Sequence, residues 1–400
     1  MVLSRRDFLK TASVLAGAMI APQVLLRARP ASAAGSDPVL VTVFLRGGAD
    51  GLSLLVPHAD PGYVAARPTL HVPANSVVDL DGFFGFHPAL APLQPLFQSG
   101  RLAAIHACGS PSGTRSHFDA QDFMEFGAPD DKTVRDGWLN RFLAAAGPTG
   151  PVSAVTIGQR ATKALVGPTP TLAFPSIAEF KLVGATTHRR PALETMYALS
   201  GDPRLSWVAP STFATIDILK DVSTATSVSY PSSDFGNALK DLAALIKADI
   251  GVRLGAVDLG GWDHHFNEAI ALPLVAADLA AGLAAFAQDL GNDFNRTVVL
   301  VMTEFGRRVR ENGSLGTDHG HGGMMLVMGG AVAGGRVVLA DDDWPGLAPE
   351  NLFEGIDLPV TTDFRDVFGE ILTRHMGLAD PSGIFPNYSL HPSRFPGLFA

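Results

Sequence analysis

Short runs of apolar and β-branched residues recur along the chain, and each is followed by glycine and polar residues. Such a run without alternating polar positions is typical of a strand buried on both faces, as strands of parallel sheets are. Since helical periodicity separates several of these runs, we predict an α/β fold. The predicted strands are VLVTVFL at 39–45, RLAAIHAC at 101–108, VSAVTIG at 152–158, GVRLGAVDL at 251–259, TVVLVM at 297–302 and MMLVMG at 324–329.

The clearest unit spans the predicted strands at 251–259 and 297–302, with a helical pattern at 274–291 between them. Strand, helix and strand in this order predict a parallel βαβ crossover. The strand at 324–329 is predicted to form an edge hairpin with RVVLA. The inward positions of the helix are predicted to be Leu279, Leu283, Phe286 and Leu290.

A last helix is predicted to begin near Thr362 or Asp363 and to end at Gly377. Its inward positions are predicted to be Val367, Phe368, Ile371 and Leu372.

The N-terminus has the pattern of a targeting peptide. Two adjacent arginines, Arg5 and Arg6, precede an apolar run and an A-x-A cleavage motif, which predicts a signal peptide over 1–33 and export by the Tat pathway. After cleavage we expect a single domain over 34–400 without a stable membrane span. Its less periodic part at 160–250 is predicted to form a helical or irregular cap over the sheet.

Charge and cysteine content limit the partners. Removal of residues 1–33 takes away five basic residues and one acidic residue, so the formal net charge changes from −9 to −13. A surface this acidic repels phosphate backbones, so a nucleic-acid partner is not expected. With Cys108 as the single cysteine, no intrachain disulfide can form.

Ionisable residues cluster directly after the predicted strands. In α/β sheets, ligands bind beyond the carboxyl ends of the strands, so we expect these residues to lie at one edge of the sheet. A mixed set of imidazoles and carboxylates favours Zn²⁺, Mn²⁺ or Fe over Mg²⁺ or Ca²⁺, with one or two ions. The candidates are Arg46 and Asp50, Ser116 and His117, Asp263 and His265, Glu304, and Asp318, His319 and His321.

These motifs resemble those of the alkaline phosphatase-like superfamily. Within it, the chain resembles a Tat-exported bacterial family classed as a domain of unknown function, DUF1501. The resemblance implies a mostly parallel central sheet with helices on both faces. The matching motifs are RRDFLK, FLRGGADGLS, RSHFDAQDFME, LGGWDHH, TEFGR, GTDHGHGG, TDFRDVFGEIL and GIFPNYSL, which span nearly the whole mature chain.

The resemblance also implies roles for individual residues. Ser116 matches the hydroxyl nucleophile, while His117 is a candidate general acid or base and Arg46, Arg115 or Arg307 are candidates to neutralise the ester oxygens. Phe305 stands where the superfamily usually has a histidine. The implied metal ligands and their supporting groups are Asp50, Asp263, His265, Glu304, Asp318, His319 and His321.

The resulting hypothesis is an exported, metal-dependent hydrolase of a phosphate or related ester, with a small molecule or a polymer as substrate. The expected partners are this substrate, the Tat translocon during export and, as a further candidate, a co-exported protein. The alternative hypothesis is a non-catalytic exported protein that keeps the fold and binds a metal or a partner. A hydroxyl close to the metal ligands would favour the hydrolase.

Overall fold

The structure is a computed structural model that describes residues 37–182 and 189–399, with only the backbone described at 203–208. The predicted signal peptide at 1–33 lies outside these residues. The strands are β1 (Val39–Leu45), β2 (Leu55–Val56), β3 (Val78–Asp79), β4 (Gly85–Phe86), β5 (Leu102–Gly109), β6 (Ala154–Ile157), β7 (Leu172–Phe174), β8 (Leu254–Leu259), β9 (Thr297–Thr303), β10 (Gly323–Gly329), β11 (Arg336–Val338) and β12 (Thr362–Asp363).

The α-helices are α1 (Gly51–Leu54), α2 (Pro61–Ala66), α3 (Gln94–Gln98), α4 (His117–Phe126), α5 (Trp138–Ala146), α6 (Arg189–Ala198), α7 (Pro203–Leu219), α8 (Asp234–Lys247), α9 (Glu268–Leu290) and α10 (Phe364–Glu370). A π-helical turn, Ile371–His375, continues α10. Short 3₁₀ turns lie at Pro88–Leu93, Lys163–Leu165, Gly291–Arg296, Ala340–Asp342, Pro349–Asn351 and Pro392–Arg394.

The central sheet has the strand order β11-β5-β10-β9-β1-β8-β6-β7, and β12 pairs with the end of β5. Among its described strands, only β10 runs antiparallel to its neighbours. The carboxyl ends of the parallel strands therefore share one edge, and β10 begins at that same edge. A smaller sheet has the order β2-β4-β3.

The predicted fold class, α/β with a mostly parallel central sheet, is confirmed. The strands β8 and β9 are parallel as predicted, although β1 lies between them and pairs with both. The predicted hairpin of β10 and β11 is wrong, because β11 pairs in parallel with β5. The strand β11 does lie at an edge of the sheet. Its apolar pattern, however, does not identify the strand with which it pairs.

Helices cover both faces of the sheet because the strands are apolar on both faces. On one face, Val41 and Val43 of β1 belong to a core with side chains of α8 and α9. On the other, Leu40 and Phe44 belong to a core with α5 and α10. Each large apolar side chain buried in this way contributes about 1.5–3 kcal/mol, so these two cores dominate the stability.

The helix α9 is, with the turn after it, long and apolar enough to cross a membrane by length and composition, the one such helix among the described residues. Its four predicted inward residues are buried, and it packs between α8 and the turn Pro88–Leu93. One face of this helix therefore belongs to the core.

The segment 160–250, predicted to be a cap, contributes to the main body as well. Its strand β7 extends the central sheet beside β6, and α8 buries Phe235, Leu239 and Leu242. Asp363 caps the helix α10, since its side chain accepts a hydrogen bond from the Arg365 amide. The predicted inward residues of α10 and of the π-helical turn after it are buried.

A buried ionic cluster joins the loop after β1 to α2 and α9. The carboxylate of Asp50 accepts hydrogen bonds from both terminal nitrogens of Arg67 and from the Ser53 hydroxyl, and both members of the ion pair are buried. Burial would raise the pKa of Asp50, but Arg67 outweighs it and holds the pKa well below the usual range. Burial and the nearby Asp50 charge raise the pKa of Glu268 well above its ordinary value.

The Asp50–Arg67 pair predicts a strong asymmetry between single and double substitutions. We expect Arg67→Met to lower the free energy of unfolding by about 3–5 kcal/mol, because it leaves the Asp50 charge buried without a partner. The double variant Arg67→Met/Asp50→Asn is expected to recover most of this loss. Urea unfolding of the mature protein at neutral pH measures both; equal losses in the two variants would contradict the explanation.

Glu268 predicts a dependence of stability on pH. Because the pKa of Glu268 is raised in the folded state, the folded protein keeps this proton at pH values where the unfolded chain has lost it. The contribution of protonated Glu268 to the free energy of unfolding is therefore complete below the ordinary pKa of 4.5 and is lost as pH rises through the folded pKa. We therefore expect Glu268→Gln to become increasingly stabilising, relative to wild type, as pH increases above 4.5. Thermal unfolding at a series of pH values tests this, and a constant difference would disprove it.

Candidate metal centre

Four side chains converge at the carboxyl edge of the sheet. His117 begins α4 after β5, Asp263 and His265 follow β8, and His319 precedes β10. From Oδ1 of Asp263, the Nε2 atoms of His265, His319 and His117 lie 3.0, 3.2 and 3.5 Å away. The Nε2 atoms of His265 and His319 are 2.9 Å apart. Three imidazole nitrogens thus surround one carboxylate oxygen.

The other nitrogen of each imidazole is held by an acceptor. Nδ1 of His117 lies 2.8 Å from Oε1 of Glu304, and Nδ1 of His319 lies 2.8 Å from the Arg115 carbonyl. Nδ1 of His265 lies 3.3 Å from Oδ1 of Asp318.

Carboxylate and carbonyl oxygens accept hydrogen bonds, so these contacts assign the hydrogen of each neutral ring to Nδ1. The lone pair is left on Nε2, as for metal-bound histidines whose other nitrogen donates to an acceptor.

These residues fit a bound cation. Two imidazole lone pairs that face each other at 2.9 Å repel unless a proton or a cation lies between them. The buried Nε2 of His117 has no hydrogen-bond partner among the described residues. Ligands about 2.0–2.1 Å from a tetrahedral ion are about 3.3 Å from one another. The three Nε2 atoms lie at similar distances, 3.0–3.5 Å, from Oδ1 of Asp263. His117, Asp263 and His319 form a group able to hold a metal ion, and Nε2 of His265 lies 3.0 Å from Oδ1 of Asp263 beside this group.

Glu304 supports this group from beneath. Its buried Oε1 accepts hydrogen bonds from the Gln121 amide at 2.8 Å and from the Gly47 amide at 2.9 Å, in addition to His117. Burial alone would raise the pKa of Glu304, but the hydrogen bonds from His117 and Gln121 lower it. The hydrogen bond to Glu304 in turn raises the pKa of His117, so protons compete with a cation for its Nε2 at acid pH.

The buried guanidinium of Arg307 ties the loops of the site together. It donates to the carbonyls of Gly48 at 2.7 Å, Thr317 at 2.9 Å and Gly47 at 2.5 Å, and to Oδ1 of Asp263 at 2.6 Å. Partial burial would raise the pKa of Asp263, but Arg307 outweighs it and lowers the pKa to about 2. Asp263 is therefore a carboxylate throughout the physiological pH range.

Glycine is required at Gly47, because a Cβ there would lie 2.7 Å from the Asp263 amide nitrogen and the φ angle is +123°. This close approach brings the loop after β1 against the loop after β8.

Two of the predicted ligands lie away from the convergent group. Asp50 is bound to Arg67, and His321 is buried with its ring stacked on Phe353 at a centroid distance of 4.1 Å. Burial lowers the pKa of His321 to about 4. Asp318 and Glu304 do not face the convergent nitrogens but contact Nδ1 of His265 and of His117, respectively, and orient these rings.

The predicted catalytic residues also have defined surroundings. Ser116 is the residue before α4, and its hydroxyl makes no hydrogen bond to the part of the chain that the structure describes. His117, predicted as an acid or base, lies among the convergent nitrogens. Arg46 donates to both carboxylate oxygens of Glu125 and to Asp258, so its guanidinium is already occupied.

Two supporting residues were not found from the sequence. Gln121 lies four residues after His117 on α4, and both contact Glu304, so the spacing in RSHFDAQD was an available signal. Arg67 lies outside every motif, and nothing in the sequence pairs it with Asp50. Phe305 packs against the rings of His117 and His319, with centroid distances of 4.9 Å to each.

Solved structures similar to this chain have low sequence identity to it. A protein in the alkaline phosphatase superfamily from Vibrio parahaemolyticus is 10% identical, with 90% of this chain and 72% of that one covered and a TM-score of 0.42. A 2-O GAG sulfatase is 9% identical, with coverages of 90% and 75% and a TM-score of 0.43. The C-terminal periplasmic domain of EcEptC from Escherichia coli, solved in complex with Zn, is 10% identical, covers 74% of each chain and has a TM-score of 0.36.

These TM-scores lie below 0.5, so the function is inferred below from the side chains of this chain alone. No curated protein sequence matches the chain significantly. The family model described as "Protein of unknown function (DUF1501)" matches residues 186–385, which is half of the chain. The chain therefore belongs to the DUF1501 family.

Proposed function

We propose that the protein is an exported hydrolase of a phosphate or related ester that binds one divalent cation through His117, Asp263, His265 and His319. The observation that carries this proposal is the convergence of three imidazole Nε2 atoms on one carboxylate oxygen, with every Nδ1 held by an acceptor. A donor set of three nitrogens and one oxygen suits Zn²⁺, Mn²⁺ or Fe better than Mg²⁺ or Ca²⁺. Such a cation supplies a Lewis acid beside the ester oxygens when it is bound.

The chain's own groups define the rest of the reaction. Ser116 directly precedes His117 and has a free hydroxyl, which makes it the proposed nucleophile, whereas the nearby Ser112 hydroxyl is bound to Asp130 at 2.6 Å. Attack by Ser116 Oγ forms the new ester bond and breaks the bond to the leaving alcohol, which takes up the proton that the serine hydroxyl loses. Hydrolysis by water then frees the serine. The amino terminus of α4 favours the negative charge of the ester.

The proposed cellular setting follows from the N-terminal sequence. Its twin arginines, apolar run and A-x-A motif support export through the Tat translocon to the periplasm or beyond the cell. The acidic charge of the mature chain opposes a nucleic acid as partner, and the proposed substrate is a small-molecule or polymer ester.

A second candidate is a non-catalytic protein that binds the same ion, alone or with a co-exported partner. Four protein ligands satisfy a tetrahedral ion completely, as in structural sites, whereas catalytic zinc sites keep one position open. The two candidates differ in the role of Asp263, which is half exposed and bound to Arg307. If Asp263 leaves the ion, one coordination position opens for a substrate, and if it stays bound, the site is closed.

The metal content of the protein tests the site. We expect one equivalent of Zn²⁺, Mn²⁺ or Fe per mature chain by plasma mass spectrometry, and a loss of most of it in His319→Ala and in His265→Ala, because each removes one of four ligands. His391→Ala, at an exposed histidine near the C-terminus, is the matched control and is expected to keep the metal.

A folded wild type that binds no metal after addition of Zn²⁺ or Mn²⁺ would refute the proposal. The non-catalytic candidate would be favoured by a wild type that binds one ion but hydrolyses no phosphate or sulfate ester. It would also be favoured if any hydrolysis were unchanged in Ser116→Ala.

Arg307→Lys is expected to weaken the metal site without unfolding the chain. A lysine ammonium keeps the charge but cannot reach several carbonyls and Asp263 at once, since it lacks the planar donor fork of arginine. We expect Zn²⁺ affinity to fall about 10–100-fold, as for other groups that orient metal ligands. Competition with a chromophoric chelator measures it; the exposed Arg310→Lys is the control, and equal affinities in the two variants would contradict this role.

A further inference from the structure

Exposed phenylalanines follow two of the four proposed ligands in the sequence. Phe118 comes directly after His117 and is 86% exposed, and Phe266 comes directly after His265 and is 67% exposed. Isolated exposed apolar residues are ordinary on protein surfaces, but a contiguous group marks a binding surface. Whether these two belong to a group therefore decides their meaning.

The exposed apolar surface continues along α9. Ile270 and Leu274 are 71% and 73% exposed, and they lie four residues apart, on one face of the helix. Leu315, 51% exposed, lies beside the start of this helix, because its carbonyl accepts a hydrogen bond from the Glu268 amide at 2.8 Å. We call Phe266, Ile270, Leu274 and Leu315 the apolar stripe. Its two helical members, Ile270 and Leu274, are about 6 Å apart along the helix axis.

The backbone at Leu315 indicates that its exposed position is maintained at a cost. Its φ angle is +59°, in the left-handed region that leucine rarely adopts. Glycine or asparagine would adopt this conformation with less strain. Neighbouring hydrogen bonds fix the loop, including one from the Asn267 amide to the Ser314 carbonyl. A strained backbone that holds a leucine in solvent is typical of a binding surface.

Charged groups around the ligands are already paired. The guanidinium of Arg46 is bound to Glu125 and Asp258, that of Arg115 to Asp357, and that of Arg307 is buried. These three arginines are thus not available to bind a second anionic group of a substrate. The side chains that directly follow His117 and His265 are exposed phenyl groups, and those exposed along the start of α9 are alkyl groups.

We infer that the substrate ester carries an alkyl or acyl chain, which lies along the apolar stripe while its phosphate or related group lies at the ligands. This inference rests on the proposed function and names the substrate class of the same site. The acidic net charge of the chain opposes association of the stripe with a second copy or with an anionic membrane.

The test compares ligands that differ only in the chain. Decylphosphonate and methylphosphonate, which cannot be hydrolysed, are titrated below the micelle concentration into the Zn²⁺-loaded protein by calorimetry. We expect decylphosphonate to bind at least about tenfold more tightly, given what single apolar contacts contribute to discrimination. The variant Phe266→Ser/Ile270→Ser/Leu274→Ser is expected to lose this advantage and to keep its metal and its affinity for methylphosphonate.

Met196→Ser/Leu199→Ser, which removes exposed apolar side chains at α6, is the matched control and is expected to behave as wild type. If decylphosphonate and methylphosphonate bind equally well, the substrate class is wrong and the hydrolase proposal stands. If the metal-loaded wild type binds neither phosphonate and hydrolyses no phosphate or sulfate ester, the hydrolase proposal fails and this inference fails with it. Conversion of a wild-type dimer to a monomer by the triple substitution, in analytical ultracentrifugation, would show instead that the stripe is a self-association surface.

Discussion

The geometry of the candidate site depends on one buried guanidinium. Arg307 binds carbonyl groups from the loop after β1 and from the loop before β10, and it also binds the carboxylate of Asp263 after β8. An unpaired charge at this depth would be costly, so the loops are stable only in the arrangement that satisfies its donors. Three chain segments that are far apart in sequence are thereby held at fixed distances from one another.

A second layer converts this scaffold into a set of oriented ligands. Glu304 fixes His117, Asp318 fixes His265, and a main-chain carbonyl fixes His319. The two carboxylates lower the charge of the site without occupying its centre, so a divalent cation there would meet a nearly balanced environment. Phe305 packs against the rings of His117 and His319, which also contact each other, while the Nε2 atoms of both rings lie within 3.5 Å of Oδ1 of Asp263.

The fold class and the edge that carries the site were predictable because they depend on local patterns. Buried strands have no polar positions, and the residues after parallel strands meet at one edge. Which of the residues at that edge converge, and which bind other groups, was not predictable. Asp50 and Asp263 occupy similar places after parallel strands, yet Asp50 binds Arg67, which lies in no recognisable motif. His319 and His321 differ by two residues, and only tertiary packing directs one toward Asp263 and the other onto Phe353.

The order of strands in the sheet has a consequence for synthesis of the chain. The strand β5 contacts the half of the sheet that contains β1 only through β10 and β9, both of which are made late. A ribosome-bound chain that ends before residue 297 can therefore pair β1, β8, β6 and β7, while β5 has no place in that half. The sheet is completed from its middle, by long-range pairing that is slow to form. Because His117 lies beyond β5 and His319 lies before β10, the four side chains of the candidate site come together only after that last insertion.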